Sequence, residues 1–215
     1  MHPFYREFVS LLDQENKEKC LEFTLSRLSR GDLDVVKLYN EILTPALNNI
    51  ICQFEDTDTC VWKEHVKSAI VRTIIECCYP YIIRERDEKY GGKKGEKVLV
   101  VCPVEEFHEL GAKMVTDFFT LCGYDATFVG ANTPGMNIVA AVADAKPKYL
   151  AISVSNYYNI VAAEKAIARI REAGHHDVKI IVGGNAFLKN PEEYKRIGAD
   201  LHLQTFEDIR NLRGA

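Results

Sequence analysis

The stretch KVLVVCPVEEFHELGAKMVTDFFTLCGYDATFVGANTP, residues 97–134, decides the fold. Its opening, KVLVVCP, is a nearly unbroken apolar run of strand length, as expected for a strand buried on both faces. HELGAKMVTDFFTLCG carries apolar residues at helical spacing and stops at Gly123, a natural helix end. DATFVG then reads as a second short strand.

The same grammar continues to the C-terminus. GMNIVAAVADAK reads as a helix, YLAISVS as a strand and IVAAEKAIARIREAG as a helix ending at Gly174. VKIIVGG is a strand, PEEYKRIG a short helix, DLHLQ a last strand and TFEDIRNLRG a last helix. Five such units predict an α/β domain: a doubly wound, flavodoxin-like, five-stranded parallel sheet. Upstream, KYGGKKGEK (89–97) is rich in Gly and Lys and marks a linker. The residues before it read as a four-helix bundle. Gly31 ends the second helix, Asp32 or Asp34 starts the third, Pro45 predicts a kink in the third, and Pro80 a bend in the fourth. The expected domains are 1–91, helical, and 96–215, α/β.

Composition narrows the function classes. The chain has 215 residues, 47% hydrophobic and 27% charged, with a formal net charge of −4. That balance offers no basic stripe for nucleic acid. No apolar run approaches the length needed to cross a bilayer. Seven cysteines without a C-x-x-C pair read as buried thiols in a reducing compartment. MHPFYREF lacks the features of a signal peptide, so a cytoplasmic location is expected.

In a doubly wound sheet, ligands bind beyond the carboxyl ends of the strands. Strand one is followed by Glu106, His108 and Gly111, and strand two by GANTP, residues 130–134. Strand three ends in Ser153 and Ser155, and strand four in Gly183 and Gly184. A histidine can donate one ring N–H to a carboxylate and keep the other nitrogen as a metal ligand. Gly111 leaves room where something large could approach.

Together these residues resemble the cobalamin-binding fold of methionine synthase and its relatives, whose pattern is D-x-H-x-x-G, then S-x-L, then G-G. Here it stands as Glu106-x-His108-x-x-Gly111, Ser153-x-Ser155 and Gly183-Gly184. Glu106 replaces the usual Asp and Ser155 the usual Leu. The resemblance implies that His108 is the lower axial ligand of cobalt, with Glu106 behind it. It implies that the dimethylbenzimidazole tail leaves cobalt and inserts beside the sheet, lined by Ser153, and that Gly183 and Gly184 let it pass.

The helical half carries Phe54, nine residues, then Glu64-His65. This is similar to the W-x9-E-H of the light-sensing MerR-type cobalamin regulators, with Phe54 at the Trp position. Trp62 is a competing aromatic. The Glu-type lower motif and the turn Asn132-Thr133-Pro134 also resemble those regulators, and Thr133 joins the expected cofactor-binding residues. The likeness implies a bundle capping the upper face of the corrin, with adenosyl- or methylcobalamin as cofactor. It also implies a response to light or to the upper ligand, with His65 able to take the vacated position on cobalt. The regulators' helix-turn-helix domain has no counterpart in MHPFYREF, so output is expected through a protein partner, without direct nucleic acid contact, in a homo-oligomer. The second reading is a corrinoid carrier that serves partner methyltransferases and has no catalytic residue of its own.

Overall fold

The computed structural model describes residues 2–50 and 57–212, with 57–60 described by backbone alone. The chain divides into two compact units, Met1–Glu85 and Arg86–Ala215.

The first unit is helical: α1 (Tyr5–Asp13), α2 (Lys17–Arg30), a third segment from Val35 to Asn48, α5 (Thr57–Cys77) and the start of α6 (Tyr79–Lys89). Local chemistry sets the ends. The Asn16 side chain accepts from the Lys19 N–H, and Gly31 closes α2 at φ +78°. Asp34, not Asp32, caps the third segment by accepting from the Lys37 N–H. Short helices are marginal alone, so burial holds them. Phe8, Leu12, Leu28, Leu38, Ile42 and Ile74 are all buried, and each contributes on the order of 2 kcal/mol.

In the third segment the helix widens just before Pro45. α3 (Val35–Lys37) passes into a π-helical stretch, Leu38–Leu43, and then into α4 (Thr44–Asn48). The Thr44 N–H reaches back to the Tyr39 carbonyl, an i→i+5 bond. Proline clashes with the carbonyl four residues before it, and the wider turn relieves that clash. The fourth helix breaks at Cys78, two residues before Pro80.

The second unit is built on five parallel strands in the order β2-β1-β3-β4-β5. They are β1 (Lys97–Pro103), β2 (Asp125–Thr133), β3 (Tyr149–Ser153), β4 (Lys179–Gly183) and β5 (Leu201–His202). The crossovers are α7 (Leu110–Leu121), α8 (Gly135–Ala145), α9 (Ile160–Glu172) and α10 (Glu193–Arg196), and α11 (Phe206–Asn211) closes the chain. This is the flavodoxin-like order. Leu99 and Val101 pack with Ile138, Val142, Ile160 and Ile167 on one face. The alternate residues Val98 and Val100 are equally buried, as a central parallel strand requires.

β2 is longer than its apolar core. Its register against β1 slips twice: Val100 faces Phe128, Val101 faces Gly130, and Pro103 faces Thr133. The irregularities carry Asn132 to the end of β1, where the motif begins. Among the described residues, no helix is long and apolar enough to cross a membrane.

Candidate functional site

The chain leaves β1 through a tight turn. The Glu106 N–H returns to the Pro103 carbonyl at 3.0 Å, and Glu105, third in the turn, has φ +67°. That geometry belongs to the turn class that ordinarily takes Gly or Asn in this place. It turns the Glu106 side chain inward, where it is fully buried (0% exposed).

Five donors surround that carboxylate. Oε1 accepts from the His108 backbone N–H at 3.1 Å and lies 2.6 Å from His108 Nδ1. Oε2 accepts from the N–H groups of Ser155 and Asn156 at 2.9 and 3.0 Å, and from Asn159 Nδ2 at 3.2 Å. Burial pushes the carboxyl upward, but the hydrogen bonds from Asn156, His108 and Asn159 together outweigh it and hold Glu106 below the ordinary carboxylate range. An ionised carboxylate cannot donate, so His108 Nδ1 must carry the proton it shares with Oε1. In the neutral ring Nε2 is then the acceptor, on a side chain that is 67% exposed. An imidazole fixed at one nitrogen and open at the other is an arrangement that could hold a metal ion.

The sequence reading placed His108 at a helix start; it stands in the loop just before α7. Gly111, in the first turn of α7, has no atom within 4 Å of where a Cβ would be. The space above it is open. Ser153 is half-buried at the end of β3, opposite Gly183. Ser155 joins the site through its backbone N–H. Thr133 is buried, and its hydroxyl donates to the Gly130 carbonyl at 3.2 Å. A Cβ on Gly183 would lie 2.6 Å from the Leu203 carbonyl oxygen, and one on Gly184, at φ +103°, 2.3 Å from that of Val154. Both glycines are demanded by neighbouring backbone.

Cys102, beneath the loop, is pushed up to about 12 by burial and then by the nearby Glu106 and Glu109 carboxylates. A thiol held protonated does not compete as a ligand. In the helical unit, Glu64 and His65 are exposed on α5, as is Trp62. Phe54 lies outside the described residues.

Two features escaped the sequence reading, and a third residue, Asn132, was noted there only as part of the Asn132-Thr133-Pro134 turn. Asn159 is buried behind the motif and reaches Glu106. Asn132 binds the turn before it: its Oδ1 accepts from the Glu105 N–H at 2.8 Å. The strand ends also carry exposed apolar residues, Phe107 (68%), Met136 (66%), Tyr157 (60%), Tyr158 (83%) and Leu188 (58%). Two consecutive tyrosines where turn residues are usual, after an apolar strand, were the available signal.

The B12 binding domain family matches residues 96–211, more than half of the chain. The HTH-type transcriptional repressor CarH of Myxococcus xanthus is 24% identical over 183 residues, which is 85% of this chain and 58% of that protein. The chain thus spans less than two thirds of that relative's length. Among solved structures, the monomethylamine corrinoid protein of Methanosarcina barkeri matches with a TM-score of 0.76 at 16% identity, covering 96% of this chain and 95% of the other. The methanol:cobalamin methyltransferase complex MtaBC from the same organism matches with a TM-score of 0.50 at 16% identity, over 94% and 75%. Those structural matches carry the fold, and the family match carries the chemistry: the chain belongs to the B12 binding domain family, and cobalamin is its cofactor.

Proposed function

We propose that this chain is a cobalamin-based regulatory sensor that holds the cofactor with its own base off cobalt and His108 in the lower axial position. The observation that carries the axial assignment is the buried Glu106 carboxylate fixing Nδ1 of an exposed imidazole, so that Nε2 alone faces outward. His108 is a single donor. One borderline nitrogen ligand suits a cobalt ion whose equatorial positions a macrocycle already fills. The open space over Gly111 and the apolar residues Phe107 and Tyr158 suit the face and edge of such a ring. Ser153, Gly183 and Gly184 border the place for the nucleotide tail.

When bound, cobalamin supplies a cobalt–carbon bond that light can break or a nucleophile can relieve of its alkyl group. The protein's part is to orient the imidazole, to keep its Nδ1 protonated, and to exclude the cofactor's own base. By likeness to CarH, the helical unit, which carries Glu64 and His65, passes the state of the bound cofactor to a protein partner or a second copy. The sensor reading rests on the likeness to CarH and on the Glu-type motif with its Asn132-Thr133-Pro134 turn.

The second reading is a corrinoid carrier serving partner methyltransferases. It is favoured by the match to the monomethylamine corrinoid protein, which spans nearly the whole of both chains. One experiment separates the two. The purified protein is loaded with adenosyl- and with methylcobalamin, and visible spectra and oligomeric state are followed in darkness and after illumination. The sensor reading expects a spectrum without dimethylbenzimidazole coordination, changed by light together with the oligomeric state. A dark-stable assembly that light leaves unaltered, with methyl transfer to an added thiol acceptor, establishes the carrier instead.

A further inference from the structure

The turn that presents His108 is strained and held from both sides. Glu105 sits at φ +67°, a left-handed conformation that is uncommon for a side chain of its kind. Such residues persist only where their surroundings over-determine them. Here the peptide groups on both sides of Glu105 are engaged. Its N–H donates to Asn132 Oδ1 at 2.8 Å, and its carbonyl accepts from Asn159 Nδ2 at 3.2 Å. Each asparagine also grips the next residue. The Asn132 N–H donates to the Glu106 carbonyl at 2.9 Å, and Asn159 Nδ2 reaches Glu106 Oε2 at 3.2 Å. Asn132 comes from the irregular end of β2 and Asn159 from the segment after β3, so chain from both strands flanking β1 closes on one residue.

We propose that Asn132 and Asn159, neither of them among the expected cofactor-binding residues, are positioning residues: they clamp Glu105 in its left-handed state and so aim the Glu106–His108 pair. The proposal rests on the reading of His108 as axial ligand. The chemistry of the two places differs. Position 132 must accept a hydrogen bond and tolerate φ +48°, which Asp does as well as Asn. Position 159 must donate, and Asp there would set a second carboxylate against Glu106. Release of the clamp lets Glu105 relax to negative φ and withdraws Glu106 from the ring.

The test uses the full chain with 15N-labelled histidine. In the apoprotein, long-range 1H–15N correlation at a pH where the ring is neutral reads the His108 tautomer. After loading with hydroxocobalamin and reduction to cob(II)alamin, the axial 15N doublet in the electron paramagnetic resonance spectrum reads histidine ligation. Wild type and Asn132→Asp should show the Nδ1–H tautomer and the doublet. Asn132→Ala and Asn159→Asp should show mixed tautomers and a histidine-ligated affinity lower by roughly tenfold. Glu105→Gly in the Asn132→Ala background removes the strain and should restore both signals. Wild-type tautomer and doublet in Asn132→Ala and Asn159→Asp, or no rescue by glycine, overturn the clamp. A doublet missing already in wild type overturns the ligand reading, and the apoprotein tautomer still decides the clamp.

Discussion

His108 Nδ1 lies 2.6 Å from Glu106 Oε1, and the two groups could hardly differ more in exposure: the imidazole is 67% open and the carboxylate wholly buried. The pair is a lever with its fulcrum inside the protein. What happens at the open end depends on what the buried end is allowed to do.

Replacing Glu106 by Gln tests the buried end. An amide group must put its NH2 toward either the Ser155, Asn156 and Asn159 donors or the His108 N–H, so donor meets donor in both orientations. We expect the α/β unit to lose about 2–3 kcal/mol in urea unfolding of the apoprotein. Histidine-ligated cobalamin should fall in parallel.

His108→Ala tests the open end and should separate stability from binding. The change takes one of five donors from the buried Glu106 carboxylate, so apoprotein stability should fall by about 1 kcal/mol, less than for Glu106→Gln. The spectrum of bound cob(II)alamin should lose its histidine nitrogen. A nitrogen splitting that survives in this variant removes His108 from the cobalt.

The glycines divide into two groups by what surrounds them. At Gly111 a methyl group meets nothing, and Ala favours the helix, so Gly111→Ala should raise apoprotein stability by up to about 1 kcal/mol. The same change should weaken cobalamin binding, since the free space lies beside His108. Gly184→Ala should do the opposite. It places a Cβ 2.3 Å from the Val154 carbonyl at φ +103°, a loss on the order of 3 kcal/mol or more in thermal or urea unfolding without cofactor.

His202 supplies a pH dependence. It lies between Phe187 and Tyr194, with Nε2 buried and without a partner. Burial lowers its pKa below the ordinary 6.5, against the opposing pull of Asp208 and Glu192. The folded state therefore binds fewer protons than the unfolded state once pH drops under 6.5. Stability is full above that value and declines as pH falls through the depressed one. His202→Phe should flatten this part of the curve of urea midpoint against pH.

The architecture from residue 97 onward was readable because apolar strands alternate with amphipathic helices, and that rhythm permits few topologies. The Glu106–His108 pairing was readable from its spacing and its place after β1. Other features were hidden for physical reasons. A left-handed residue is usually announced by Gly or Asn, and here it is Glu105. Asn159 lies 53 positions from Glu106, and only the folded sheet brings them together. Pro45 announces a missing N–H but not the π turn by which the helix accommodates it. The pair Gly183-Gly184 was noticed for the space it leaves a ligand, while its nearest reason is the carbonyls of Leu203 and Val154.

That last point bears on how such motifs should be weighted when other chains are scanned. The double glycine keeps its place in any chain whose strands approach this closely, including one that has given up its cofactor. Its presence testifies to the sheet. The carboxylate of Glu106 has its own duty to the backbone after β3, through the N–H groups of Ser155 and Asn156, whereas the His108 ring is 67% exposed, so a lineage that stopped binding cobalamin would be free to lose the histidine first.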